Sequence, residues 1–318
     1  MTTTPRGARA ASIATIALVV AVALAPLPLA RAQQVDRKRE GKDARWAAVG
    51  RVFGQEGEAV DGYFRVNLPR TDLTVRIGDD TLSPHFEFTS YFGFVPVGAR
   101  GVLAMGEVIV RDDELAAALD EARRRRVQVT AVHNHLVGET PRIVYVHVMA
   151  RGAADSVAGA LHAVVARTAT PLDRPPAEEP PAADWAAIDA VLGAHAEAEG
   201  SVAEYEFPRR ERLHVGGVAV KSSGVIETGS EVVFQRLGAA GRVATTGELY
   251  LLASEVQPVV RALEEHGLHV TALHTHMLDD GPPRFWVHWY ATGDGPTLAR
   301  GVAAAIAKTN GAHKSKHE

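Results

Sequence analysis

An α+β fold built from two tandem copies of one β-rich unit is predicted by three observations. Short motifs recur in the same order at a nearly constant offset. A proline-rich stretch separates the two runs of motifs. Within each run, β-branched strand patterns alternate with two amphipathic helical patterns.

The repeat is the strongest of the three. Trp46-Ala47-Ala48 returns as Trp185-Ala186-Ala187, 139 residues later, and Pro69-Arg70 returns as Pro208-Arg209 at the same offset. Leu73 and Val75 match Leu213 and Val215 at an offset of 140, and Gly106-Glu107 matches Gly247-Glu248 at 141. Residues 129–133 match 270–274, His135 and His147 match His276 and His288, and Arg167-Thr168 matches Lys308-Thr309, all at 141. Two small insertions account for the drift. The units are expected at 46–168 and 185–309. Residues 169–184, with Pro171, Pro175, Pro176, Pro180 and Pro181 among Ala, Asp and Glu, suit a stiff linker. Residues 33–45 are expected to be a flexible lead-in and 310–318 a frayed tail.

Each unit is expected to open with a short helix near its Trp. Strands are expected over 63–67, 73–77, 86–95 and 102–110. Asp112-Asp113-Glu114 then opens a helix ending at Arg123 to Arg126, so both ends complement the helix dipole. Strands over 127–136 and 143–149 follow, and a helix over 154–167 closes the unit. The second copy repeats this with a strand at 248–252, a helix at 254–266, strands at 269–277 and 285–290, and a helix at 296–307. The order strand, helix, strand, strand, helix predicts a ferredoxin-like portion with extra strands in front.

The first 32 residues have a different character. Arg6 and Arg9 precede an uncharged, mostly apolar run over 10–25, Pro26 and Pro28 break it, and Ala30-Arg31-Ala32 offers an A-x-A cleavage pattern. This reads as a secretory signal peptide spanning 1–32. The run of about 16 residues is short of the roughly 20 needed to cross a bilayer. Removing it takes away Arg6, Arg9 and Arg31 and no acid, so the formal charge moves from −4 to −7. The processed chain is expected to be periplasmic or secreted, without a membrane span. An acidic balance argues against nucleic acid as a partner. The absence of cysteine excludes disulfides, thiolate metal sites and a cysteine nucleophile.

The chemistry concentrates in histidines. Of fourteen, six fall in two H-x-H…H clusters: His133, His135 and His147, then His274, His276 and His288. Side chains at i and i+2 on a strand share a face. A hairpin folding around position 140 sets His147 opposite His133, and one around Gly281 sets His288 opposite His274. Three imidazoles on one face, with opposed residues about 5 Å apart, can reach one ion. Three histidines with an open position form a catalytic-type zinc arrangement, and imidazole also suits copper, iron and nickel, so a divalent transition metal with Zn first is the expected cofactor. Glu107 and Glu248, each directly after a Gly, are candidate fourth ligands. Glu139 and Asp280 in the hairpin turns are candidates for a ligand or a general base in metal-dependent hydrolysis. Histidines satisfied by hydrogen bonds across a sheet are the structural alternative. Ser90, Ser222 and Ser223 have no placed base. The Tyr91, Phe92 and Phe94 cluster reads as core or sheet face, with a ligand platform as the other option.

Residues 131–142, with His133-Asn134-His135 followed by Pro141-Arg142, and residues 272–278, with His274-Thr275-His276, resemble the A-L-H-N-H-M-L…P-R hallmark of the LppY/LpqO family. The resemblance covers nearly all of the processed chain. It implies an exported bacterial protein with a duplicated domain of unknown function, and it implies no reaction. Two departures stand out: the lipobox cysteine of the lipoprotein members is absent, and copy two has Thr275 where the hallmark has Asn. Two function classes follow. One is an envelope protein that binds a transition metal through each hairpin, acting on or with an unknown small molecule or envelope component. The other is a non-catalytic periplasmic ligand-binding or interaction module with structural histidines.

Overall fold

The computed structural model describes Met1 and residues 43–172, 183–238, 241–278 and 282–311. The expected signal peptide, most of the lead-in, most of the linker, most of the tail and Asp280 lie outside the described residues.

The first unit opens with α1 (Ala44–Phe53), capped by the Asp43 carboxylate, which accepts from the Arg45 N–H, and ended by Gly54 in the left-handed region. Strands β1 (Glu58–Val60) and β2 (Tyr63–Pro69) form a hairpin, and β3 (Val75–Ile77) and β4 (Asp80–Leu82) form a second one. A turn of helix, α2 (Pro84–Glu87), precedes β5 (Thr89–Val97) and β6 (Gly101–Arg111). Helix α3 (Leu115–Arg125) leads to β7 (Gln128–His133), the two-residue β8 (Glu139–Thr140), β9 (Ile143–Ala153) and α4 (Ala154–Val165). The main sheet is antiparallel in the order β1-β2-β5-β6-β9-β7, and β8 joins β3 and β4.

The second unit repeats this plan. Helix α5 (Ala186–Leu192) precedes β10 (Glu197–Glu199), β11 (Val202–Pro208), and the hairpin β12 (Leu213–Val215) and β13 (Val218–Val220). A 3-10 turn over Gly224–Ile226 stands where α2 stood. Then come β14 (Gly229–Arg236), β15 (Arg242–Leu252), α6 (Ala253–Glu265), β16 (His269–His274), β17 (Arg284–Asp294) and α7 (Gly295–Ile306). Its sheet order, β10-β11-β14-β15-β17-β16, is that of the first unit.

Alternation along the strands divides each sheet into two faces. Phe64, Val66, Phe92, Val108 and Val146 point to one face, where Trp46, Phe53, Ala118 and Leu161 of the helices close a dry core. Tyr205, Phe234, Leu249 and Trp289 do the same under α6 and α7. The opposite faces of the two sheets pack on each other. Phe86, Ile109 and Tyr145 meet Val202, Val233 and Ala244 at one end, and Leu103 and Met105 meet Val215, Ile226 and Trp286 at the other. The order is helices, sheet, sheet, helices. The approach is close: a Cβ on Gly93 would lie 2.0 Å from the carbonyl oxygen of Val225.

Several expectations change. A single strand over 86–95 is broken, because Ser83-Pro84 is a helix start: the Ser83 hydroxyl accepts from the His85 N–H and Pro84 occupies the first turn. Strand β15 begins at Arg242 rather than 248. Both of its faces are buried, so no alternation marks it in the sequence. The strand expected over 127–136 ends at His133, where the Asn134 side-chain amide donates to the Ile143 carbonyl and takes the acceptor a longer ladder would use. The hairpin register also differs. Tyr145, not His147, opposes His133, and Ala131 opposes His147; Trp286 opposes His274, and Ala272 opposes His288. The slip is two residues in both units, so every histidine keeps its face.

Candidate metal centre

The histidine hairpins of the two units meet face to face. Within each hairpin the rings stand close together although the expected opposition is absent: His133 lies 5.0 Å from His135 and 4.9 Å from His147, and His274 lies 4.9 Å from both His276 and His288 (ring centroids). Across the interface they are closer. His133 stacks on His274 at 3.5 Å, His135 on His288 at 3.8 Å, and His147 on His276 at 3.7 Å. The repeat equates His133 with His274, His135 with His276, and His147 with His288. The last two stacks therefore exchange under a pseudo-twofold axis, and the first lies on it. Tyr145 on His135 at 3.6 Å and Trp286 on His276 at 4.0 Å are a further related pair.

Carboxylates surround the rings. Glu107 opposes His147 directly in the ladder, with its Oε2 3.2 Å from His147 Nε2 and 3.9 Å from His135 Nε2. Glu248 opposes His288 in the same way at 4.0 Å. The glycine before each is required: a Cβ on Gly106 would meet the Tyr91 carbonyl at 2.1 Å, and one on Gly247 the Glu231 carbonyl at 2.3 Å. Two further acids were not singled out in the sequence. Glu87 Oε2 lies 2.8 Å from His135 Nδ1, and Glu227 Oε2 lies 3.3 Å from His276 Nδ1 and 3.5 Å from His147 Nδ1. Their signal was available, because Ser83, Glu87 and Ser90 recur as Ser223, Glu227 and Ser230 at an offset of 140.

Burial sets the protonation states. It holds the His133 and His147 imidazoles down at about 3 and His274 at about 2, with the neighbouring rings adding to the effect on His133 and His274. His135, His276 and His288 lie well below the usual histidine range for the same reason. All six rings are thus neutral near pH 7. Burial pushes Glu107 and Glu227 up to about 8, against the pull of the Arg65 guanidinium, and raises Glu87 and Glu248 well above the carboxylate range. The Nε2 atoms of all six histidines are buried without a hydrogen bond of good geometry among the described residues.

Among the described residues, five groups of side chains bring ligand atoms within 4.8 Å of one another. Only His133, His135 and His147 come from a single hairpin. Three join the units: His147, Glu227 and His276; His135, His274 and His288; His133, His274 and His276. Glu248, His276 and His288 complete the set within unit two. These groups could hold a metal ion. Glu107 is in none of them, although it touches His147. Glu139 lies apart, paired with Ile77 on β3, its carboxylate accepting from the Ile143 N–H at 3.3 Å.

The other candidates have structural partners. Ser90 accepts from the Ile109 N–H, Ser222 from the Arg209 N–H and Ser223 from the Val225 N–H. Phe92 and Phe94 belong to the helix-side core, whereas Tyr91 faces a cavity of ≈ 700 Å³ between the sheets. Glu107, His135, Glu227 and Glu248 also line this cavity, so the histidine centre forms part of its wall.

Two solved structures resemble the chain only faintly. EtuB from Clostridium kluyveri is 10% identical over 79% of this chain and 88% of its own, with a TM-score of 0.19. The trimeric bacterial microcompartment shell protein PduB is 11% identical over 78% and 86%, with a TM-score of 0.18. Similarity that low carries no argument. No curated protein matches the chain. A family model matches it twice, over residues 47–167 and 186–308, and the chain therefore belongs to the family described as Domain of Unknown Function (DUF1259), of which it contains two copies.

Proposed function

We propose that this chain is an exported protein that binds a divalent transition metal, with zinc the first candidate, in one centre shared by the histidine hairpins of both repeats. The observation that carries this reading is that six stacked histidines meet between the repeats, in groups of three whose ligand atoms lie within 4.8 Å, with every Nε2 buried and without a good hydrogen bond among the described residues. A buried polar nitrogen without a partner costs free energy, and structural histidines would be expected to find one. A metal ion takes up those lone pairs. The donor set fits: neutral imidazoles, with the Glu87 carboxylate 2.8 Å from the far nitrogen of His135 and so placed to orient it. A bound metal would supply Lewis-acid chemistry; the chain itself orients the rings, excludes water with Tyr145 and Trp286, and keeps proton-carrying carboxyls beside them. Export rests on the signal-peptide pattern of residues 1–32. No helix among the described residues is long and apolar enough to cross a membrane.

Elemental analysis of untagged protein purified from its native envelope tests the metal, and intact mass tests processing after Ala32. Stoichiometric zinc, copper, iron, nickel or manganese is expected. Protein that refuses all five at micromolar levels would overturn the metal reading, and retention of residues 1–32 would overturn export.

A further inference from the structure

The ligand positions of the centre come in pairs, and the pairing bears on how many ions it holds. Each histidine of one hairpin matches a histidine of the other at an offset of 141, Glu107 matches Glu248 at 141, and Glu87 matches Glu227 at 140. The neighbours of these residues have changed. Tyr145 on one ring stands where Trp286 does on its mate, Leu136 after His135 where Met277 follows His276, and Met149 beyond His147 where Tyr290 lies beyond His288. Ten side chains able to bind a metal thus keep their type in both copies while the residues beside them do not. A single ion lying off the pseudo-twofold axis would leave one of its two equivalent sites without a role.

An ion on the axis would have to be held by His133 and His274, the pair that meets there. Their rings stack face to face at 3.5 Å, with 26° between the planes. A ring nitrogen presents its lone pair in the plane of the ring, so rings stacked in this way aim their lone pairs side by side and not at a common point. The same holds for His135 on His288, at 3.8 Å and 22°, and for His147 on His276, at 3.7 Å and 23°. The two members of a stack therefore belong to different ions. Within a repeat the donors do converge: Glu248, His276 and His288 bring ligand atoms within 4.8 Å of one another. In the equivalent set Glu107 Oε2 lies 3.2 Å from His147 Nε2 and 3.9 Å from His135 Nε2, and all three atoms are buried without a hydrogen bond of good geometry among the described residues. Charge agrees with the count. Glu87, Glu107, Glu227 and Glu248 place four carboxyls against the rings. Two divalent ions match four carboxylates, whereas one ion would leave two of them buried without a cation.

Resting on the metal reading above, we infer that the centre holds two divalent ions, one bound by His135, His147 and Glu107 and the other by His276, His288 and Glu248, with His133 and His274 stacked on the axis between them. Glu227 ties the two sets together, because its Oε2 lies 3.5 Å from His147 Nδ1 and 3.3 Å from His276 Nδ1, one histidine of each. The ions are therefore expected to bind together and not independently. Two histidines and one carboxylate leave open positions on each ion, a donor set that suits iron as well as zinc.

Equilibrium dialysis of the full chain, stripped with a chelator and reloaded with zinc, counts the ions. Two equivalents per chain are expected. Copper(II) loaded to the same level should give a spin-coupled electron paramagnetic resonance spectrum, with less than the intensity of two full spins or with a half-field line, because the two sets are in contact. Glu107→Gln and Glu248→Gln keep the shape of the side chain, and each should weaken zinc binding by at least about tenfold. The wild-type count and the copper spectrum decide the matter even if a variant does not fold. One equivalent per chain overturns the inference and leaves the metal reading standing, whereas protein that binds no metal overturns both. Two equivalents that behave as isolated copper spins also overturn the inference, as does wild-type zinc affinity in one folded variant beside a loss in the other.

Discussion

The two repeats agree at some interfacial positions and part company at others, and the positions sort by distance from the pseudo-twofold axis. Near the axis they match: the histidine triads, Glu107 with Glu248, and Glu87 with Glu227. So do the buried arginines under each sheet. Arg70 donates to the Ile109 carbonyl and pairs with Asp72 and Glu114; Arg209 donates to the Tyr250 carbonyl and pairs with Glu211 and Glu255. Away from the axis Arg65, Asn67 and Tyr91 face Glu204, Glu206 and Glu231. A centre that draws ligands from both copies needs both copies alike. A cavity with two walls needs them only complementary. Duplication supplied the first, and divergence of the copies supplied the second.

The largest effect should come from the matched positions. His276 belongs to three of the ligand groups and its pseudo-equivalent His135 to two, both sets crossing between the units. His276→Ala is expected to abolish metal binding, and His135→Ala to lower it sharply, read by elemental analysis. Two independent sites would instead lose half the metal each time, and that outcome breaks the idea of a shared centre.

The buried arginines test whether the repeats are equally dependent on their ion pairs. Arg70→Met and Arg209→Met each strand a buried glutamate, at a cost of about 3–5 kcal/mol. Urea unfolding should show similar losses for both. A loss under about 1 kcal/mol in one unit alone would mean that its pairs are held by water instead.

Acidity separates the imidazoles from the carboxyls in metal-free protein. Histidines depressed from 6.5 to about 3, such as His133 and His147, contribute stability that is present above pH 6.5 and is lost as pH falls toward 3, because only the unfolded chain takes up protons there. Glu107, Glu227 and Glu231, raised from 4.5 to about 8, contribute stability that is present below pH 4.5 and is lost as pH rises to 8. Chelator-treated protein should therefore have its highest melting temperature between pH 4.5 and 6.5. Added zinc should raise that temperature more at pH 8 than at pH 6. A metal-free melting temperature that climbs steadily from pH 6 to pH 8 would contradict the buried carboxyls.

The smallest effect should come from the divergent row. Glu231→Gln relieves the like-charge oppositions to Glu206 and Glu248 and should stabilise metal-free protein by about 0.2–1 kcal/mol for each at pH 9, the size of a cross-strand pair. The matching change in unit one, Tyr91→Gln, should destabilise, since it removes an aromatic ring beneath Arg65. If both changes act in the same direction, the two walls do not differ as described.

Much of this was legible in the residues themselves. The offset of 139 to 141 marked the duplication, the i and i+2 spacing placed His133 with His135 and His274 with His276, and Gly-Glu marked Glu107 and Glu248. These are local signals, set by covalent spacing and strand periodicity, and a register error of two residues left them intact. Glu87 and Glu227 were missed because each stands at the end of a short helical turn whose direction no periodicity encodes. Glu139 drew attention as a turn carboxylate but bonds to the chain beside it. What tertiary structure alone decided is that the two hairpins face each other. Each sheet buries one face under its own helices, and the other face, carrying histidines and acids, packs on that of the second copy. Pattern along a chain reports which side of a strand is apolar; it does not report which surface covers it, because that depends on shape and charge matched across some 140 residues of intervening chain.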